Sequence, residues 1–165
     1  MSKTFQLKEQ FSVHRPIEHV FDYLADFSQI ADWDPSVISA KKTSVGAIKQ
    51  GSKFDLILKS AGRKLPMAYE LIDYQPYQAL TFFGKAEGFT ATDTIRLQTE
   101  GDFTHITWQA DLEFTGLLQY AVPMMKNALV KLGKESMQGL AQALADNYPP
   151  PIAKTSSLTS QLVLP

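Results

Sequence analysis

Hydrophobic and polar residues alternate from Phe5 to Val13. Phe5, Leu7, Phe11 and Val13 share one face with Glu9, and Gln6, Lys8, Gln10 and Ser12 take the other. A period of two predicts a half-buried strand, with Glu9 the one charged member of its inner set, either an edge residue or a second inner carboxylate beside Asp93. The period then lengthens. Ile17, Val20, Phe21 and Leu24 fall at i, i+3, i+4 and i+7, one apolar helical stripe, with Pro16 suited to the first turn. The helical stretch runs out at Trp33-Asp34-Pro35. Arg15 stands before Pro16 and brings no side-chain oxygen to the free helix amides.

Beyond Pro35, Gly46, Gly51, Ala61-Gly62, Gln75-Pro76, Glu87-Gly88 and Gly101-Asp102 punctuate segments of strand length, predicting a six-strand antiparallel meander. Its inner phase carries Phe54, Leu56 and Leu58; Met67, Tyr69 and Leu71; Leu80 and Phe82; Phe89, Ala91, Asp93, Ile95 and Leu97; and Ile106, Trp108, Ala110, Leu112 and Phe114. The opposite phase holds Asp55, Lys59, Glu70, Thr81, Thr92, Thr94, Arg96, Thr107, Gln109 and Glu113, as expected of a sheet with one solvated side.

From Leu117 to Asn147 the period is helical again, with Leu118, Met125, Leu129, Leu132, Ser136, Leu140 and Leu144 in one stripe. Pro123 lacks a donor and blocks the preceding turn, which predicts that the main helix starts near Pro123 and that 117–122 form a flap. Pro149-Pro150-Pro151 ends any helix, so the chain is expected to form one domain over 1–148 and a flexible tail over 149–165. Docking of that tail through Leu158, Leu162, Val163 and Leu164 is the less favoured expectation.

Composition narrows the function. The chain has 165 residues and 44% hydrophobic composition, enough for one substantial core. Sixteen basic residues face seventeen acidic ones, with no basic run longer than Lys41-Lys42 or Arg63-Lys64, so no footprint for nucleic acid is expected. Neither a signal-peptide pattern nor a membrane-spanning apolar run is read, and the expectation is a cytoplasmic protein without a transmembrane segment. Zero cysteine excludes disulfides, a thiolate nucleophile and Cys-based zinc. His14, His19 and His105 have no paired spacing and are expected at the surface, and neither a metal centre nor a cofactor is expected. No convergent Ser-His-Asp set is read, and 84–88 is expected to be a plain turn without a phosphate-loop pattern.

Several local patterns occur in order: FSVHRPIEHVFDYLAD from Phe11 to Asp26, Trp33-Asp34-Pro35, Gly51-Ser52-Lys53-Phe54, YQPYQAL from Tyr74 to Leu80, and Thr104-His105-Ile106-Thr107-Trp108. On these the chain resembles the START-like, or SRPBCC, superfamily, in its polyketide cyclase/dehydrase branch, over residues 5–147. The resemblance implies an α+β helix-grip fold: a curved antiparallel sheet of about seven strands wrapped on a long C-terminal helix, with two short helices after the first strand. It also implies one of several functions, among them ring cyclases and carriers of lipids and steroids.

A cleft between sheet and helix is the natural site. Expected ligand-binding residues are Phe54, Leu56, Met67, Tyr69, Leu71, Phe82, Phe89, Asp93, Ile95, Trp108, Ala110, Met125, Leu129 and Leu132. Asp93 stands out, because a carboxylate among apolar groups has a raised pKa and can exchange a proton near neutrality. The competing expectation is that Asp93 binds a backbone amide, lies where the strand opens to water, or is turned outward by a bulge. Tyr69 and Trp108 bring donors to the same phase, or else pack in the core with one satisfied tip. Asp73 is expected at an exposed strand end, the methionines Met67, Met124, Met125 and Met137 mostly in the core, and Trp33-Asp34-Pro35 as an anchor for the short helices, with gating of the pocket as a secondary role.

The leading expectation is binding of a small hydrophobic molecule, such as a polyketide, lipid, steroid-like or isoprenoid compound. An alternative is a cyclase or dehydratase with Asp93 as acid and base and Tyr69 polarising a carbonyl. A third is an interaction protein with a small cavity, using 117–122 or the tail.

Overall fold

The structure, a computed structural model, describes residues 2–146. The expected tail over 149–165 and the last position of the expected helix, Asn147, lie outside them. The alternating N-terminal segment forms β1 (Lys3–Val13), followed by α1 (Ile17–Ala25) and a short 3-10 helix (Phe27–Asp32). Six strands follow: β2 (Val37–Lys42), β3 (Lys53–Ser60), β4 (Arg63–Gln75), β5 (Ala79–Ala86), β6 (Phe89–Glu100) and β7 (Phe103–Phe114). The long helix α2 (Leu118–Asp146) closes the described chain.

All seven strands join one curved antiparallel sheet in the order β1-β7-β6-β5-β4-β3-β2, so β1 and β2 are its edges. Each strand from β2 to β6 pairs with its successor, as short turns require, and β1 adds on beyond β7. The inner phase packs against α1, the 3-10 helix and α2. Phe21, Phe54, Leu56, Leu71, Leu80, Phe82, Ile95, Ile106, Leu140 and Leu144 are sealed from solvent. A β-bulge between Leu71 and Asp73 breaks the β4–β5 register, and Asp73 accepts a hydrogen bond from Gln75 Nε2 at 2.6 Å on the exposed side.

Arg15 has a structural use that its place before Pro16 does not advertise. Its Nε donates to the Leu144 carbonyl at 3.1 Å and its Nη2 to the Ala145 carbonyl at 2.8 Å. Both carbonyls belong to the last described turn of α2. A guanidinium there also complements the negative end of the helix dipole, worth about 0.3–1 kcal/mol at an exposed end. Thr104 Oγ donates to the Arg15 carbonyl at 2.7 Å, so β7, the β1–α1 junction and the end of α2 are fastened together.

Three expectations need correction. Helix α2 starts at Leu118 and runs through Pro123, so 117–122 form no separate flap. The amide that Pro123 lacks would have bonded the Gln119 carbonyl, a loss confined to an entry turn whose neighbours Leu117 and Tyr120 are exposed. That turn is also pinned: Leu118 Cδ1 sits 2.5 Å from where a Cβ on Gly88 would be, occupying the space that this glycine leaves. Gly84 lies inside β5, and the turn after it is limited to Glu87-Gly88. Among the methionines, Met67 is buried, whereas Met124 is 87% exposed and belongs to no core. Of the histidines, His14 is exposed, His19 is half-buried on α1, and His105 is half-buried within reach of Ser12 Oγ, its Nδ1 at 2.9 Å.

Candidate functional site

The register explains how three polar side chains meet inside an apolar sheet face. Asp93 of β6 is paired with Phe82 of β5 on one side and Ala110 of β7 on the other. Trp108 lies one inward position along β7, and its indole Nε1–H donates to Asp93 Oδ1 at 2.9 Å. Tyr69 is on β4, two strands away, and its hydroxyl still donates to Asp93 Oδ2 at 3.2 Å.

Adjacent strands are about 4.8 Å apart, so a tyrosine must lie flat across the intervening strand to span two of them. Its cross-strand partner on β5 is Gly84. A Cβ at Gly84 would stand 2.5 Å from Tyr69 Cε1 and Cζ and 2.6 Å from Met67 Cε. The missing side chain is the space the ring occupies, one of the meanings of a glycine inside a strand. Phe27 holds the ring from above, with centroids 4.8 Å apart. Gly84→Ala is therefore expected to push Tyr69 off Asp93 and to raise the Asp93 pKa further, because one of the donors that favour its ionised form is lost. Carboxyl carbon NMR across a pH titration reads this directly; an unchanged Asp93 midpoint would show that the ring keeps its place.

Burial dominates the electrostatics of Asp93. Burial pushes the carboxyl up, the hydrogen bonds from Trp108 and Tyr69 pull it down, and the nearby charges of Asp34 and Asp111 add a smaller upward push, which together bring it from 3.8 to about 6. Burial, followed by the Asp93 charge, lifts the Tyr69 hydroxyl well above 10, so it stays protonated and remains a donor.

Asp34 comes from the Trp33-Asp34-Pro35 turn. Its Oδ1 accepts from the Ser36 amide at 2.8 Å and the Ser36 hydroxyl at 2.7 Å, a local turn that fixes the carboxylate. Trp33 beside it meets Trp108 edge to face at 5.4 Å between centroids. Gly139 of α2 admits this turn, since a Cβ there would overlap the Trp33 carbonyl oxygen.

These groups border a cavity of about 150 Å³ between sheet and α2. Its walls include Leu7, Phe27, Ile30, Trp33, Tyr69, Trp108, Ala110, Leu112, Leu129, Leu132, Gly133 and Met137, and its polar lining is Asp93, Asp34, Glu9 and Ser136. Glu9 and Met137 also border an outer groove with Gln10, Phe11, Lys134, Gln138 and Ala141, which places them at the mouth between β1 and α2. Among the described residues, no group of three or more His, Asp or Glu side chains is arranged to hold a metal ion.

Of the expected site residues, Tyr69, Asp93, Trp108, Ala110, Leu129 and Leu132 are brought together around this cavity. Phe54, Leu56, Met67, Leu71, Phe82 and Ile95 are buried in the core away from it. Phe89 stacks on Phe114 with centroids 5.5 Å apart, and Met125 is half-buried; neither borders the cavity. Trp33 and Asp34, expected chiefly as an anchor and secondarily at a pocket gate, border it, as does Glu9; Leu7, Phe27, Ile30, Leu112, Gly133, Ser136 and Met137 border it without having been among the expected ligand-binding residues. An aspartate in an aromatic turn, with serine two residues on, was the available signal for Asp34.

The fold and site define a helix-grip protein enclosing a small apolar cavity with one buried carboxylate. The chain belongs to the family described as polyketide cyclase/dehydrase and lipid transport, whose model matches residues 4–145. No curated protein matches it. Among solved structures it is similar to the Zhui aromatase/cyclase from Streptomyces sp. R1128 (15% identity, 87% of this chain and 94% of that one, TM-score 0.73). A START superfamily protein from Mycobacterium smegmatis is also similar (17%, 84% and 93%, TM-score 0.65), as is a major latex-like protein from Panax ginseng (16%, 88% and 99%, TM-score 0.61). At such identities the likeness concerns the fold. Family and fold together support a function of hydrophobic-ligand-binding or polyketide-cyclase type. Among the described residues, no helix is long and apolar enough to cross a membrane.

Proposed function

We propose that this protein binds a small hydrophobic molecule in the cavity between the sheet and α2, with the polar end of the ligand at Asp93. The observation that carries this reading is the lining: aliphatic and aromatic walls converge on one buried carboxylate that has lone pairs to spare. A carboxylate offers about four acceptor sites, and here one hydrogen bond falls on each oxygen, from Trp108 and from Tyr69. Apolar contact would supply most of the affinity, at about 25 cal/mol per Å² buried, and the polar group would fix orientation. We assign ligand contact to Tyr69, Asp93, Trp108, Ala110, Leu129 and Leu132, joined by Phe27, Trp33, Asp34 and Gly133.

Size bears on the ligand. A cavity of about 150 Å³ suits a body near one aromatic ring, whereas pockets for larger ligands run to about 300–1,000 Å³. A second reading, acid/base catalysis on a small carbonyl compound, is favoured by the Asp93 pKa of about 6. Folding of a long poly-ketone chain is not supported by this volume.

Both tryptophans of the chain line the cavity, so their emission reports occupancy. Single-ring apolar compounds are expected to change that emission saturably in the wild type. In Gly133→Leu the response is expected to vanish, because Gly133 and Leu7, which a Cβ at 133 would meet, both border the cavity and a leucine there would take up its space. A response that survives in a folded Gly133→Leu protein, or none from any compound in the wild type, contradicts the proposal.

A further inference from the structure

We propose that the preferred occupant is a hydrophobic amine, an apolar body of about one ring whose protonated amino group docks on Asp93 with Asp34 nearby and Glu9 at the mouth. This rests on the cavity reading above and adds the charge of the ligand to it.

Three of the four side-chain donor groups in the lining are already used by the protein. The Tyr69 hydroxyl and the Trp108 indole N–H both donate to Asp93, and the Ser136 hydroxyl donates to the Leu132 carbonyl at 2.9 Å. What remains toward the cavity is mostly acceptors, the lone pairs of Asp93, Ser136 and Tyr69 and the carboxylates of Asp34 and Glu9, beside one donor, the Trp33 indole N–H, that has no acceptor among the described residues. Both Ser36 hydrogen bonds fall on Asp34 Oδ1, and its Oδ2 receives none among the described residues. A ligand ending in a carbonyl or carboxylate would find one donor, the Trp33 N–H, among several acceptors, while one ending in N–H donors would match the larger set.

Charge points the same way. No Lys, Arg or His borders the cavity, and none of its three carboxylates takes part in an ion pair among the described residues. Lys134 is close but borders the outer groove. Asp34 faces Asp93 closely enough to oppose its ionisation, a repulsion that a cation near both relieves. A metal ion does not suit the place, since these carboxylates are not clustered to hold one. The aromatic walls suit an organic cation instead, because indole and phenol faces attract ammonium groups. Trp33, Trp108, Phe27 and Tyr69 supply those faces.

The test uses three compounds on one skeleton: 2-phenylethylamine, 2-phenylethanol and phenylacetate. Each is titrated against tryptophan emission at a pH of about 8, where an alkylamine is protonated and Asp93 is ionised. The amine is expected to bind at least about 10-fold more tightly than the alcohol, as a hydrogen bond to a charged group would give, and phenylacetate is expected to bind weakest. In Asp93→Asn the advantage of the amine over the alcohol is expected to disappear, and in Asp34→Asn to shrink, so the second variant serves if the first fails to fold. Alcohol binding as tight as amine binding overturns the amine inference and leaves the cavity reading standing. Tighter binding of phenylacetate, or an advantage that persists in Asp93→Asn, also overturns it. No binding by any of the three compounds overturns the amine inference, and a silent response to the wider set of apolar compounds removes the cavity reading as well.

Discussion

Asp93→Asn is expected to raise the thermal midpoint at neutral pH by several degrees and to leave it unchanged near the unperturbed carboxyl pKa. The sign follows from proton counts. An aspartate in the unfolded chain titrates near 3.9, while folding lifts Asp93 to about 6. Between those values the folded protein keeps a proton that the unfolded chain has released, so stability falls as pH rises through the window, and the full penalty is present above it. A rise of that size corresponds to about 3 kcal/mol against the folded state at neutral pH. Asparagine carries no charge at any pH. Its carbonyl oxygen can still accept from Trp108, so the variant escapes the penalty while keeping one partner. The gain should be absent below a pH of about 4, grow to a pH of about 6 and then level off. Denaturant unfolding of both proteins at several pH values checks this. A variant that is less stable throughout, or a difference that ignores pH, would mean that the carboxylate is better solvated than its burial implies. Stability given up at a site is a common mark of function, and here the group responsible faces the cavity.

The second large effect is expected at Gly139. Glycine inside a helix is ordinarily a weakness, and replacement by alanine stabilises by about 1 kcal/mol. Gly133, on the same helix, should follow that rule, since a Cβ there meets Leu7 Cδ1 at 3.5 Å, an ordinary contact. Gly139 should reverse it. A Cβ there overlaps the Trp33 carbonyl oxygen, a backbone atom that cannot rotate aside. Either α2 lifts from the sheet or the Trp33-Asp34-Pro35 turn moves. Overpacking of this kind costs about 1–3 kcal/mol and outweighs the gain in propensity. Gly139→Ala is therefore expected to be less stable than wild type and Gly133→Ala slightly more stable, measured side by side in urea. Equal behaviour of the two would show that α2 does not seat on that turn. Because Trp33 borders the cavity and touches Trp108, Gly139→Ala should also shift the tryptophan emission.

Much of this architecture is legible in the order of residues, for definite reasons. The period-two runs have a single solution once one face must be buried, since a slip of one residue would turn every side chain over. Asp93 could be placed inside from Ala91 and Ile95 alone. Tyr69 and Trp108 could be assigned to its face in the same way. Phase says which face a residue is on but not what lies above it. Phe54, Leu56, Leu71, Phe82 and Ile95 share the face of the cavity and are instead sealed in the core. The span from Tyr69 to Asp93 depends on Gly84, whose meaning appears only when the register places it under the ring. Asp34 reaches the cavity from a turn, where no period exists to orient it. Pro123 misled because the local rule about proline is strong, and tertiary packing of Leu118 over Gly88 holds the entry turn against it.

The exposed start of α2, with Leu117 88% and Tyr120 70% accessible, offers a different place for an apolar molecule to adhere. The decisive measurement separates that surface from the cavity: the indole N–H signals of Trp33 and Trp108 in a nitrogen-proton NMR titration with 2-phenylethylamine and 2-phenylethanol. The Trp108 proton sits in the hydrogen bond to Asp93, at the floor of the proposed site. Saturable movement of both indole signals in the wild type, absent in Gly133→Leu, is the predicted result. Indole signals that stay fixed while amides around Leu117 and Tyr120 move would contradict a ligand-binding cavity.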